Sequence, residues 1–182
     1  MAESSDVLNG LIIVYTCYAV VIISLIAWFG YKISRKGEGK LIRPGLFYTW
    51  VGFLVVLGVS LHIFTYNTIP WAPMDLNRVD IKPDTVIYIT VADHEFRLPG
   101  EKITLKKDQK VLFDVTSMDL TYGFGLFRSD HSMVFQMQVI PGHKNDILWQ
   151  FPTTGVFTIR STEYSGPKGT HMELPDAVEI IE

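Results

Sequence analysis

Apolar positions fall into two regimes along this chain. From Val7 to Tyr31, 25 residues pass without a formal charge, and from Pro44 to Met74 another 31 do so. Each window exceeds the roughly 20 residues that cross the hydrocarbon of a bilayer. The pattern therefore predicts two transmembrane helices, near 8–31 and 46–66. The first window is rich in Leu, Ile and Val and free of proline, and Pro70 and Pro73 stand just beyond the second. Those prolines resist helical continuation. Aromatic rings collect where helix ends would meet headgroups: Trp28, Phe29 and Tyr31, then Phe47, Tyr48 and Trp50, then Tyr66 and Trp71.

After residue 75 the apolar runs shorten and alternate with polar positions. Segments 85–92, 102–105, 110–116, 132–140, 146–151, 156–161 and 177–181 read as strands. Alternation is clearest in Met133-Val134-Phe135-Gln136-Met137-Gln138-Val139, where Met133, Met137 and Val139 share a face that reads as core. Pro99-Gly100, Pro141-Gly142, Thr154-Gly155 and Gly166-Pro167 punctuate the segments as turns. About seven short strands in roughly a hundred residues predict a Greek-key β-sandwich, and no ten-residue amphipathic stretch argues for a helix there. No internal repeat or low-complexity segment is present. The chain thus divides into a helical hairpin over 1–75 and an external domain over 76–182.

Charge gives this layout a direction. Lys32, Arg35, Lys36, Lys40 and Arg43 face Glu38 alone in the connecting loop, over residues 32–43, whereas the outer flanks carry Glu3, Asp6, Asp75 and Asp80 against Arg78. The positive-inside rule makes the loop cytoplasmic and puts both termini and the soluble domain on the periplasmic or extracellular side of a cell inner membrane. No basic n-region or small-residue cleavage site marks the apolar start as a signal peptide. Nor do small residues precede Cys17 as a lipid anchor would need. The 48% of apolar residues fits a membrane component, and a net charge of −3 leaves no footprint for nucleic acid. One cysteine excludes an internal disulfide, a Cys-rich zinc site, an iron–sulfur cluster and any copper centre needing two thiolates.

Two helices, a basic hairpin loop and an external sandwich resemble subunit II of the haem-copper oxidases. Ser117-Met118-Asp119-Leu120-Thr121-Tyr122-Gly123-Phe124 resembles that family's Ser-x-Asp-Val-x-His-x-Phe segment. Met137-Gln138-Val139-Ile140-Pro141-Gly142 resembles its strand ending in Pro-Gly, and Thr154-Gly155-Val156-Phe157 its Pro-Gly-x-Tyr turn. Most specific is Ser161-Thr162-Glu163-Tyr164-Ser165-Gly166, which is similar to Cys-x-Glu-x-Cys-Gly with both cysteines replaced, followed by Met172 at the methionine ligand. The resemblance implies a cupredoxin-like fold. It also implies where a dinuclear copper centre, CuA, would sit: Tyr122 at the first histidine, Ser161 and Ser165 at the cysteines, Glu163 as carbonyl donor, Gly169 at the second histidine, and Met172. A serine hydroxyl is a poor ligand for soft copper, so CuA is expected to be lost. Val91-Ala92-Asp93-His94-Glu95-Phe96 also lacks the tryptophan through which many such subunits receive electrons.

These losses are similar to those of the quinol-oxidising branch, which Glu163-Tyr164-Ser165-Gly166-Pro167 also resembles. The expected role is a non-redox subunit beside a haem-bearing large subunit, which holds haem and non-haem metal, takes electrons from quinol and reduces oxygen. The alternative is the same role in a quinol-dependent nitric oxide reductase. No nucleophile–base pair, phosphate loop or close carboxylate pair suggests catalysis by this chain itself.

Four features invite sharper readings. The resemblance implies that Glu163 reaches a magnesium site at the seam with the large subunit; the plain alternative is a surface glutamate bonded to a turn. His62, near the outer end of the second helix, is a candidate quinol contact, against a histidine that snorkels. His94, His131, His143 and His171 with Met133, Met137 and Met172 suggest a membrane-tethered Cu(I)-binding protein, with His131 and Met133 on one strand face, against methionines as core fillers. Tyr122 and Tyr164 are expected to pack their rings inward where the copper ligands are missing.

Overall fold

The computed structural model describes residues 4–37 and 43–182; Glu3, Glu38 and Lys40, on which part of the charge argument rests, lie outside the described residues. Helix α1 spans Ser4–Ser34 and α2 Pro44–Thr68, each longer at both ends than the sequence pattern predicts. Lys32 lies over the Trp28 ring and Arg35 over Tyr31, so aromatic and basic residues extend α1 beyond its uncharged run. Pro44 opens α2, where its fixed φ suits the first turn. Pro70 closes it: Ile69 is forced into extended backbone (φ −79°, ψ 116°), the conformation favoured before proline. Thr16 and Ser24 return their hydroxyls to the carbonyls of Ile12 and Val20 at 2.7 Å, so these polar groups carry no unsatisfied donor. Both helices are long and apolar enough to cross a membrane, and α2 has no buried residue. A helix apolar all round needs lipid or protein around it.

The helices, over 6–69, and the segment from Pro70 to Glu182 are separate contact units. The second begins earlier than the division at 75/76, because the residues after α2 pack on the sandwich. Trp71 lies 5.6 Å from Trp149, the short helix α3 (Ala72–Leu76) buries Met74, and Arg78 reaches the Asp146 carboxylate at 3.4 Å.

Nine strands follow: β1 Thr85–Ala92, β2 Glu95–Arg97, β3 Ile103–Lys106, β4 Lys110–Ser117, β5 Tyr122–Arg128, β6 Met133–Val139, β7 Asp146–Gln150, β8 Gly155–Arg160 and β9 Glu173–Ile181. They form two sheets, β2-β1-β4-β7 and β3-β9-β8-β5-β6. β1 pairs parallel with β4 and β3 with β9; the other ladders are antiparallel. The core between the sheets centres on Phe113, whose ring meets Phe135 at 5.5 Å, Phe124 at 5.8 Å and Phe151 at 6.4 Å.

Four expectations change. β2 is too short, at three residues, for its alternation to register in the sequence. β5 escapes the pattern because Gly123 and Gly125 interrupt it and six successive residues are buried, so no polar position alternates. Met133 is exposed, not core: the ladder shifts register between Leu126 and Phe127, and Val134 and Phe135 are buried in succession. His131 does not share a strand face with Met133, since it sits in the preceding turn with a left-handed φ of 66°.

Candidate functional site

β1 and β2 are joined by two residues, Asp93 and His94, between the paired Ala92 and Glu95. Both have positive φ, 54° and 67°, as a two-residue type I′ hairpin requires. This turn aims His94 across the end of the sandwich. Its backbone N–H donates to the Tyr122 hydroxyl (3.2 Å), and its ring stands edge-on to the Tyr122 ring, 5.6 Å away at 88°. Its Nε2 lies 2.7 Å from the Ser165 carbonyl oxygen. A carbonyl only accepts, so Nε2 carries the hydrogen.

Tyr122 starts β5 and is fully buried (0% exposed). Its hydroxyl donates to Asp119 Oδ2 at 3.1 Å, an oxygen that also accepts the Asp93 N–H at 2.9 Å, while Asp119 Oδ1 accepts the Leu120 N–H at 2.8 Å. Desolvation works to raise the Asp119 carboxyl, but these donors outweigh it and hold the group below the ordinary carboxylate value. Tyr122 is pushed above the usual phenol value, chiefly by burial and with the Asp119 charge adding to it.

The loop after β8 completes the site. Ser161 Oγ accepts the Gly123 N–H (3.3 Å) and donates to the Glu163 carbonyl (3.3 Å), and the Ser161 N–H donates to the Met172 carbonyl (3.0 Å). Ser165 Oγ faces Met172 Sδ at 3.9 Å. A Cβ on Gly169, in the 3-10 turn Pro167–His171, would run into Ser165 Oγ and require that hydroxyl to turn away. Gly123 must stay bare, because a Cβ there would strike the backbone of Thr162 and Glu163.

The structure thus gathers Tyr122, Ser161, Ser165, Gly169, Met172 and the Glu163 carbonyl. They offer a phenol, two hydroxyls, a thioether and a backbone oxygen, with no thiolate or imidazole. That set does not fit a dinuclear thiolate-bridged copper centre. The Glu163 side chain is exposed. Among the described residues no group of three or more His, Cys, Asp or Glu could hold a metal ion. Beside the site a cleft of about 570 Å³ is lined by His94, Lys168, His171 and Met172 among others. Of the candidate Cu(I) ligands the cleft brings together His94, His171 and Met172, whereas His131 and His143, in the β5–β6 and β6–β7 loops, are not among its lining residues. His62 belongs to α2, in the other contact unit.

Tyr164 departs from expectation: it is 78% exposed rather than packed inward, and the ring that stands beside Tyr122 is that of His94. That filling role of His94 escapes the sequence reading. Its one signal is the polar Asp-His pair set between Val91-Ala92 and Glu95-Phe96, the place of a two-residue hairpin.

No protein-family model and no curated protein matches the sequence. Among solved structures, the chain is similar to the periplasmic domain of subunit II of cytochrome oxidase (CoxB) of Bradyrhizobium japonicum, at 18% identity and a TM-score of 0.44, covering 56% of this chain and 87% of that one. It is also similar to a chain of a heme-copper terminal oxidase dimer, at 18% identity and a TM-score of 0.49, over 75% of this chain and 98% of that one. Auracyanin B aligns at 10% identity and a TM-score of 0.46, over 56% of this chain and 92% of its own.

Proposed function

We propose that this chain is a non-redox subunit II of a membrane haem-copper oxidoreductase complex. The observation that carries the reading is the end of the sandwich: the six positions that would surround dinuclear copper converge there, yet they are knit by hydrogen bonds among hydroxyl, phenol and backbone groups. In this reading CuA is lost, and electrons bypass the domain, passing from quinol directly to a haem-bearing large subunit that reduces oxygen. The two helices anchor the chain in a cytoplasmic membrane with lipid on one side and the large subunit on the other, both termini and the sandwich lying outside. Exposed Met118, Leu120 and Tyr164, on the two loops that flank the site, would meet the large subunit. Glu163 would lend its carboxylate to a magnesium ion at that seam, and His62 would lie against the quinol headgroup.

The test is product analysis on the complex purified from its native membrane. Quinol-dependent oxygen uptake is the expected result. Quinol-dependent conversion of nitric oxide to nitrous oxide, without oxygen uptake, would reassign the chain to a nitric oxide reductase. Stoichiometric Cu(I) uptake by the full chain, lost in His171→Ala, would instead favour the metal-binding alternative.

A further inference from the structure

We infer that His94 is a cross-link that holds the 162–171 segment in place, a positioning residue that does mechanically what a bridging metal would otherwise do at this end of the sandwich. Within 162–171 the hydrogen bonds are internal: Thr170 Oγ1 donates to the Pro167 carbonyl at 2.8 Å, the Gly169 N–H to the Gly166 carbonyl at 3.0 Å, and the Met172 N–H closes back on Gly169 at 3.3 Å. Ser161 and Met172 staple the two ends of the segment together. Among the described residues, one hydrogen bond reaches 162–171 from outside 161–172, and it comes from His94 Nε2 to the Ser165 carbonyl at 2.7 Å. By hydrogen bonding the segment is therefore tied to the rest of the domain through this imidazole, while Thr162 and Glu163 at its start also pack against Gly123.

The turn that presents this imidazole is itself unfavourable. A φ of 67° suits glycine; Asn, Asp and His adopt it more often than other residues, but still at a cost in backbone strain. Strained backbone of this kind persists where the surroundings over-determine it. Here the His94 N–H is bound by Tyr122, Tyr122 by Asp119, and Asp119 by the Asp93 N–H of the same turn, so the two-residue turn is gripped from both of its residues. The ring then fills the space between Tyr122 and the Ser165–Gly169 corner, its Cδ2 lying 3.8 Å from where a Gly169 Cβ would stand. Either protonation state of the imidazole that keeps hydrogen on Nε2 keeps the bond.

Strain and cross-link predict opposite signs for one substitution. If His94 were only a turn residue, His94→Gly would relieve the left-handed backbone, raise the melting temperature and leave 162–171 as it is. If it is the cross-link, the same change frees the segment. The experiment is hydrogen–deuterium exchange read by mass spectrometry on the full-length chain in detergent micelles. It compares wild type with His94→Gly, His94→Asn and His94→Gln. The expected result is that amides of 162–171 exchange at least about ten-fold faster in the Gly and Asn variants, with β6 and β7 unchanged. His94→Gln, whose amide N–H reaches about as far as Nε2, restores at least part of the protection. Wild-type exchange of 162–171 in His94→Gly overturns the inference. So does faster exchange throughout the sandwich in both the Gly and Asn variants, because the claim is of a local tether. The measurement needs no partner protein, so its failure would leave the proposed function standing.

Discussion

Two stretches of the same strand are held by different physics. In the middle of β5, Phe124 and Leu126 point into a core of rings, where Phe113 touches Phe124, Phe135 and Phe151. At its start, Tyr122 points the same way but ends in a chain of hydrogen bonds running from Asp119 through Tyr122 and His94 to Ser165. The middle depends on volume and apolar area, which many sequences supply. The end depends on donors meeting acceptors, which a few atoms decide. In this two-sheet sandwich the two demands separate: the packing of the centre does not depend on the hydrogen-bonding groups at the end.

The largest expected effect lies in the middle. Phe113→Ala removes a fully buried ring with three aromatic neighbours and should cost about 3–5 kcal/mol, read as a lower midpoint in urea unfolding. A smaller loss would mean that the centre is not what holds the sheets together. Gly123→Ala acts at the end, by forcing the Thr162 and Glu163 backbone aside, and should cost about 1–3 kcal/mol with the change confined to the loop after β8. Tyr122→Phe keeps the ring but deletes one donor and one acceptor, leaving the His94 N–H without its partner. About 1–2 kcal/mol should be lost, and no loss at all would dissolve the contrast between the two stretches.

The smallest effect is the pH dependence. Asp119 has a depressed folded value, so its contribution is present above the ordinary carboxylate pKa of about 3.9 and is lost as pH falls through the folded one. Asp119→Asn should therefore flatten the acid limb of the stability profile below about pH 4 while leaving the neutral range shallow. Thermal melts across that range check it.

The helices and most strands were legible because both periodicities are strong: an uncharged run of 25 residues for α1, and alternation through β4 and β6. β5 was hidden because burial on both faces and two glycines erase the alternating signal. Within the site, the resemblance leads us to expect Ser161, Ser165, Gly169 and Met172 near one another, and the structure brings them together. His94 could not be read this way, because its role depends on Ser165, 71 residues away, and no local pattern encodes that contact. Tyr164 shows the converse: the missing copper ligands suggested an inward ring, yet its side chain is exposed. Met133 failed for a third reason, a register shift that apolar alternation cannot reveal.

The central claim is that this chain serves a haem-bearing partner and carries no electron centre of its own. The most direct test is purification of the tagged chain from its native membrane in mild detergent, with haem and copper measured against the chain. The account predicts co-purification with a large haem protein at one chain per large subunit, and an optical spectrum without the bands of a dinuclear thiolate-bridged copper centre. A chain that emerges free of haem protein, or one whose own domain holds two coppers, would contradict it.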